Sequence, residues 1–172
     1  MDIDQSNKIT TLDNYLDPLR DQFNDNKEKI RFLSLLSPTC PLWRDKGARA
    51  VHESIINKLM HVDISVVIVW IKMLAGDSGV TAEKSAGSFR DPQVRQFYDP
   101  DRHCGKAIAN SVGWQGKIAW DIYLFYTPGS EWIKSPPAPV DWIHQLKETW
   151  ADRDRLRTGR DLVEGLETAM SK

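Results

Sequence analysis

Cys40 is the residue best placed for chemistry, within the sequence Ser-Pro-Thr-Cys-Pro-Leu-Trp at residues 37–43. An apolar segment over 31–36 predicts a buried strand before it, and residues 44–60 are predicted to form a helix after it. The unpaired N–H groups and the positive dipole end of such a helix favour a thiolate over a thiol. Pro41 suits the first helical turn, where its missing N–H costs nothing. The pattern therefore predicts a cysteine nucleophile.

Each residue of this turn also has a structural interpretation. Cys40 is alternatively a packed thiol, because free cysteine is often a small buried hydrophobe. The Thr39 hydroxyl either hydrogen-bonds the thiolate or caps the helix. Trp43 either shields the sulfur, offers an apolar platform to a partner, or packs against the segment that begins at residue 74. These alternatives stay open at the level of sequence.

Composition and charge bound the class of protein. The chain has 172 residues, of which 41% are hydrophobic and 27% charged, so we expect one globular domain over 1–172. A net charge of -1 gives no reason to expect nucleic acid or an anionic membrane as partner. Residues 1–26 lack a signal-peptide pattern, and the longest apolar run, 64–71, is too short for a membrane span. We therefore expect a cytoplasmic protein whose two cysteines are thiols at rest.

Helices and strands are predicted to alternate along the chain. The predicted helices cover residues 11–23, 44–60, 81–89, 103–112, 141–150 and 161–170. The predicted strands cover residues 31–36, 64–71, 94–98 and 118–126, with a hairpin partner at 130–133 and an irregular segment at 135–139. This order predicts an α/β fold with a central mixed sheet flanked by helices. Within it, residues 1–28 form an N-terminal helical extension, and residues 74–100 form an insertion after the second main strand.

The cysteine turn and the order of elements resemble the thioredoxin superfamily, over about residues 30–170. The resemblance rests on residues 37–43 and on the strand Ala-Trp-Asp-Ile-Tyr-Leu-Phe-Tyr at 119–126. The turn at 99–101 and the helix after it resemble the insertion of peroxiredoxins and membrane-anchored thiol reductases. More narrowly, the chain is similar to a little-characterised bacterial set of thioredoxin-like proteins, some of them selenoproteins. The resemblance implies a thioredoxin-like fold and a thiol-disulfide oxidoreductase.

Two departures from the superfamily pattern bear on that activity. Trp43 stands where a resolving cysteine would complete Cys-x-x-Cys, and tryptophan cannot attack a mixed disulfide. Its codon is one base from those of cysteine and from the UGA codon of selenocysteine, so Trp43 is either native or replaces a redox residue. The cis-proline of the superfamily is also missing, and Ala119 or Trp120 takes its position. The resemblance implies that substrate contacts Pro41, Ala119 and Trp120.

The resemblance also assigns roles to two further residues. It places Asp121 behind the redox turn, where a buried carboxylate would accept the thiol proton. The alternative is an aspartate at the strand edge, bonded to backbone. Cys104 corresponds to the remote resolving cysteine of some peroxiredoxins, or is a residue at a helix start with no redox role. We expect the second, because in this fold that helix starts away from the cysteine turn.

The function predicted from these residues is that of a thiol-dependent redox protein with Cys40 as the single nucleophile, through mixed-disulfide or thiol-transfer chemistry. Its partner would be a disulfide- or thiol-containing protein or a small thiol. Some of its seven tryptophans could form an exposed apolar patch through which a homodimer forms. We expect no cofactor, and four scattered histidines without ligand spacing predict no metal site. The alternatives are a redox-inactive thioredoxin-fold binding module and a thiol protein that handles peroxide or a metal(loid).

Overall fold

Six strands form one mixed sheet in the part of the chain that this computed structural model describes, residues 9–41, 63–89, 91 and 93–171. In chain order they are β1 (Thr10–Thr11), β2 (Ile30–Leu36), β3 (Ile64–Ile71), β4 (Val94–Asp99), β5 (Ile122–Tyr126) and β6 (Asp141–His144). Across the sheet the order is β1-β4-β3-β2-β5-β6. The first four strands are parallel to one another, while β5 is antiparallel to β2 and β6 is antiparallel to β5. The predicted α/β fold with a central mixed sheet is confirmed.

Helices flank this sheet. They are α1 (Asp17–Asp25), α2 (Gly79–Ala86), α3 (His103–Ser111) and α4 (Arg160–Met170), with 3-10 turns at Gly87–Phe89 and Arg153–Arg155. The predicted helices over 103–112 and 161–170 are confirmed to within one residue. Trp43 and the predicted helix over 44–60 lie outside the described residues. Within the described ranges, none of the helices combines the length and apolar character that a bilayer crossing requires.

The two central strands follow directly from their composition. All eight residues of β3 are buried, as expected for a β-branched run in a parallel strand that is covered on both faces. It pairs with β2 in register from Ile30 opposite Ile64 to Leu36 opposite Trp70. The predicted strands over 31–36 and 64–71 are therefore confirmed.

Alternation along the strands divides the apolar side chains into two layers, one on each face of the sheet. We call them the Cys40 face and the Cys104 face, after the cysteine that each contains. α2 and α4 cover the Cys40 face, and α1 and α3 cover the Cys104 face. The large side chains of the Cys40 face include Phe32, Trp70, Tyr123 and Phe125, and those of the Cys104 face include Phe97, Tyr126, Trp114 and Trp142. The sheet thus separates the two thiols.

The predicted helix over 11–23 is wrong in its first half. Thr10 and Thr11 instead add a short parallel strand to β4, opposite Phe97 and Tyr98. α1 begins only at Asp17, so that proline occupies its first turn. A helix from residue 11 would have placed this proline in its interior, at a cost of about 3 kcal/mol.

The predicted strand over 118–126 begins only at Ile122. Asp121 adopts the left-handed conformation, with φ 47°, and this ends any extended run from the preceding residues. Ala119 is bonded to α3 instead, because its N–H donates to Gly105 O at 3.0 Å. The segment before β5 is therefore a bent connection that lies beside the end of β2.

The predicted helix over 141–150 and the predicted hairpin partner at 130–133 are both wrong. The partner of β5 is β6, whose Trp142, Ile143 and His144 are buried. Trp142, Leu146 and Trp150 recur every four residues and so imitate a helical stripe. In the structure they reach the Cys104 face from a strand and from the irregular chain after it. Residues 135–139 are irregular, as predicted.

The outer edge of β6 is covered by its own neighbours in the chain. The Trp142 N–H donates to Asp141 Oδ1 at 2.9 Å, and the Trp142 carbonyl accepts from Arg155 Nη1 at 2.8 Å. Arg155 also pairs with Asp141 at 3.1 Å and lies over the Trp142 ring. The N–H of Arg157 donates to His144 O at 2.9 Å. Side chains and the following segment thus occupy the edge groups.

Candidate functional site

Cys40 lies at the end of a tight turn that follows β2. Its N–H donates to Ser37 O at 3.2 Å, which closes the turn. Pro41, the next residue, is exposed and has helical backbone geometry, in agreement with a proline in a first helical turn. The Cys40 side chain is only 4% exposed. The cysteine is thus held at the carboxyl end of a central strand.

Asp77 holds this turn in place, although the sequence analysis assigned it no role. Its Oδ1 accepts the N–H of Thr39 at 3.1 Å and the Thr39 hydroxyl at 2.6 Å, and its Oδ2 accepts the Ser37 hydroxyl at 2.7 Å. The same Oδ2 accepts the N–H groups of Met73 at 2.9 Å and Leu74 at 2.7 Å. A single carboxylate therefore joins the segments that follow β2 and β3.

Asp77 remains an anion in this position. Burial raises its pKa, but the hydrogen bonds from Thr39, Leu74, Ser37 and Met73 lower it, and their combined effect leaves the pKa below its usual value. One signal in the sequence could have found it. Adjacent parallel strands end at one edge of a sheet, so the residues after β3 lie beside the turn after β2.

The Thr39 hydroxyl donates its hydrogen bond to Asp77 rather than to the thiol. Of the two roles considered for Thr39, hydrogen bonding to a thiolate would need that same proton. A second contact secures the turn, because Ser85 Oγ of α2 donates to the Pro38 carbonyl at 2.9 Å. The insertion after β3 therefore supports the cysteine turn from the Cys40 face.

The structure brings Asp121 to the thiol. The distance from Cys40 Sγ to Asp121 Oδ2 is 3.8 Å, within hydrogen-bonding range for sulfur. Asp121 is 1% exposed, and among the described residues its other oxygen, Oδ1, has no hydrogen-bond partner. The side chain comes from the bend before β5, which runs antiparallel to β2 and so starts where β2 ends. Asp121 therefore lies behind the cysteine turn, and its role as proton acceptor stays a prediction.

Burial has a large effect on this carboxyl group. It raises the pKa of Asp121 to about 7, with the charges of Glu148 and Asp77 acting in the same direction and the hydrogen bond from Cys40 acting against them. A carboxyl group with this pKa is part protonated and part ionised at neutral pH. It can therefore accept a proton from a thiol and return it.

Two residues near Asp121, Tyr123 and Gln145, were not predicted from the sequence. Gln145 Nε2 donates to the Tyr123 hydroxyl at 2.9 Å, and the Gln145 N–H donates to Asp121 O at 2.9 Å. Burial, and then the charge of Asp121, raise the pKa of Tyr123, which is therefore a neutral phenol. Its ring stacks on Phe32 with centroids 6.3 Å apart. The Asp121 backbone is fixed by these contacts.

The residues that the resemblance aligns with a cis-proline, Ala119 and Trp120, lie in an all-trans segment, since the described residues contain no cis peptide bond. Ala119 is fully buried and its N–H is already bonded to Gly105 O. Trp120 is partly exposed and packs against both apolar layers. Of this pair, Trp120 is the residue that reaches the surface beside the cysteine turn.

Cys104 does not approach Cys40. It lies on the Cys104 face, fully buried in the first turn of α3, where Asp99 Oδ2 accepts its N–H at 2.9 Å. Burial, and then the charge of Asp99, raise the pKa of the Cys104 thiol well above its usual value. α3 starts at the same edge of the sheet as the cysteine turn but on the opposite face. This geometry suits a structural thiol.

The buried histidine His144 is engaged with backbone. Its Nδ1 accepts the Leu146 N–H at 3.0 Å, so Nε2 is the donor to Asp152 O at 2.7 Å. Burial lowers the pKa of His144, so the ring is neutral. Across the described ranges, no group of three or more His, Cys, Asp and Glu side chains is arranged to hold a metal ion.

No protein-family model matches the sequence, and no curated protein matches it. The solved structures that match this chain do so at low sequence identity and low TM-score. A solution structure of a protein described as a thioredoxin, from Neisseria meningitidis, is 14% identical over 68% of this chain and 69% of that chain, with a TM-score of 0.46. The thioredoxin domain of a thiol-disulfide oxidoreductase from Bacteroides vulgatus is 11% identical over 84% of this chain and 81% of that chain, with a TM-score of 0.44. An exposed lipoprotein thioredoxin from Streptococcus pneumoniae is 16% identical over 68% of this chain and 80% of that chain, with a TM-score of 0.41.

Proposed function

We propose that this protein is a thiol-dependent redox protein in which Cys40 is the single nucleophile and Asp121 its proton acceptor. The observation that supports this most is the 3.8 Å contact between Cys40 Sγ and a buried carboxyl group whose pKa is about 7. General bases work best when their pKa lies near the working pH. Within the part of the chain that the structure describes, Asp121 Oδ1 has no hydrogen-bond partner, which supports a carboxyl group able to take up a proton.

In the proposed reaction, the Asp121 carboxylate takes the thiol proton, and the Cys40 thiolate attacks one sulfur of a substrate disulfide. The substrate S–S bond breaks, a mixed disulfide forms on Cys40, and the departing thiolate takes the proton from Asp121. An external thiol then attacks the substrate sulfur of the mixed disulfide, and the bond between that sulfur and Cys40 breaks. A new disulfide forms between the external thiol and the substrate sulfur, and the proton of the external thiol passes to the Cys40 thiolate. The substrate is a disulfide- or thiol-containing protein or a small thiol, and the setting is a reducing bacterial cytoplasm.

The first test compares the pH dependence of Cys40 alkylation in a Cys104→Ala background with and without Asp121→Asn. We expect the parent to titrate with two apparent pKa values that belong to the Cys40–Asp121 pair, one of them near 7. Asp121→Asn should remove that step and slow thiol–disulfide exchange on the order of 10²-fold at pH 7. A single titration near ~8.5 in both proteins would overturn the proposal.

Trp43 stands at the resolving position in this proposal, as a native residue or in place of cysteine or selenocysteine. A Trp43→Cys protein should then oxidise to an intramolecular disulfide and reduce insulin with dithiothreitol as electron source, which the parent should do poorly. A folded variant that forms no such bond would show that position 43 has no resolving role.

A redox-inactive binding module is the second candidate, and two observations favour it. Cys40 is 4% exposed, and the segment before β5 lacks a cis-proline. Cys40→Ser separates the candidates, because serine keeps the size of the side chain and removes the nucleophile. If cells that carry this variant behave as wild type in a deletion background, the binding module is correct. If the folded variant fails to complement, the thiol mechanism is correct.

A further inference from the structure

We propose that Asp77 is a positioning residue for the Cys40–Asp121 pair, an inference that rests on the proposed function. Its two oxygens accept five hydrogen bonds, three from the turn after β2 and two from the segment after β3. Asp77 is 3% exposed, so these bonds form away from water and depend on one another. The carboxylate therefore holds the turn after β2 in position.

The path from Asp77 to the sulfur is short. Ser37 donates its hydroxyl to Asp77 and accepts the Cys40 N–H through its carbonyl. Thr39, the residue just before Cys40, is bonded to Asp77 through both its N–H and its hydroxyl. Asp121 is held independently, by Gln145 and the start of β5. Asp77 therefore sets the position of the thiol relative to a base that is anchored elsewhere.

Asp77 also acts on the pair through its charge. The titratable groups that influence or contact Asp121 are Cys40, Glu148, Asp77 and the neutral phenol Tyr123. Burial has the largest effect on the Asp121 pKa, and the negative charges of Glu148 and Asp77 add to it. Because hydrogen bonds lower the pKa of Asp77 and favour its ionised form, its charge favours the protonated form of Asp121. A purely structural residue would not have this second effect.

The test is Asp77→Asn, which keeps the shape of the side chain and removes its charge. We expect the titration step near pH 7 in Cys40 alkylation to move to lower pH, because one of the charges that opposes Asp121 ionisation is gone. We expect thiol–disulfide exchange to slow by between about 10- and 10²-fold, because the turn loses part of its anchor. Asp101→Asn, which removes an exposed charge from the chain after β4, is the matched control and should change neither quantity.

Thr39→Val keeps the N–H bond to Asp77 and the charge of Asp77, and it removes only the hydroxyl donor. It should slow exchange while leaving the pH step in place, and it decides the question if Asp77→Asn fails to fold. A folded Asp77→Asn protein with the parent's rate and pH profile would overturn the inference, as would Thr39→Val with the parent's rate. Either result leaves the proposed function standing, whereas exchange that persists in Cys40→Ser would remove the proposed function itself.

Discussion

At the scale of single residues, the backbone conformation of Asp121 places its side chain beside the thiol. Its φ of 47° is uncommon outside glycine, but aspartate tolerates the left-handed region better than most residues. Glycine would relieve the strain and remove the carboxyl group. Strained conformations of this kind are often found at functional sites, where the surrounding contacts maintain them. Here those contacts include the hydrogen bond between the Gln145 N–H and Asp121 O.

The raised pKa of Asp121 predicts a specific dependence of stability on pH. The folded protein binds this proton with a pKa of about 7, and the unfolded chain with one near ~3.9. Stability is therefore lost as pH rises between these values, by up to about 4 kcal/mol in total. Asp121→Asn has no proton to lose, so it should be more stable than the parent at pH 8, and nearly equal to it at pH 4. Urea unfolding at both pH values measures the difference, and parallel pH dependences would contradict the assignment.

At the scale of elements, close packing of α3 places the segment before β5. Gly105 lies in the first turns of α3 and its carbonyl accepts the Ala119 N–H. A Cβ at Gly105 would lie 2.6 Å from Ile71 Cδ1, 2.7 Å from Ile118 Cγ2 and 3.1 Å from Ala119 O. There is therefore no room for a methyl group where α3 packs against the end of β3 and the segment before β5.

We expect Gly105→Ala to destabilise the protein by about 1–2 kcal/mol, since overpacking outweighs the gain in helix propensity. It should also slow Cys40 exchange, because relief of the clash moves the segment that carries Asp121. Gly79→Ala is the control, at a site where the added Cβ would meet only Tyr98, at 3.7 Å. Denaturant unfolding of both variants checks the prediction, and equal stabilities would refute the packing argument.

The elements also show what the sequence could predict. β2 and β3 are short, mostly apolar runs, so their composition predicted them as buried strands without tertiary information. β6 was predicted as a helix because Trp142, Leu146 and Trp150 have helical spacing, and only pairing with β5 decides otherwise. Asp77 was not predicted because its partners in the cysteine turn, Thr39 and Ser37, lie 38 and 40 residues before it in the chain.

At the scale of the whole molecule, the sheet is a partition between two kinds of thiol. Cys40 lies on one face beside the carboxyl group of Asp121, and Cys104 lies on the other, where Asp99 accepts its N–H. A disulfide requires Cα atoms within about 7 Å and side chains that face each other. Opposite faces of a central sheet do not allow this, so Cys40 and Cys104 cannot form a disulfide with each other in the folded monomer.

Mild oxidation of the native protein with diamide should therefore yield no intramolecular disulfide. Mass spectrometry should show no monomer that has lost two hydrogens, and any disulfide-linked product should disappear in Cys40→Ser but persist in Cys104→Ala. Native alkylation should modify Cys40 and leave Cys104 unmodified, because burial raises the pKa of the latter well above its usual value. A Cys40–Cys104 bond in the folded monomer would contradict the described topology.

The covered edge of β6 bears on how copies of this protein meet one another at high concentration. An open edge strand is a template on which a second chain can build further sheet and begin to aggregate. Here Asp141, Arg155 and the segment that contains Arg157 already occupy the groups of Trp142 and His144 that such a chain would need. A second chain is therefore hindered from adding a strand at β6. Salt that screens the Arg155–Asp141 pair would weaken this protection first.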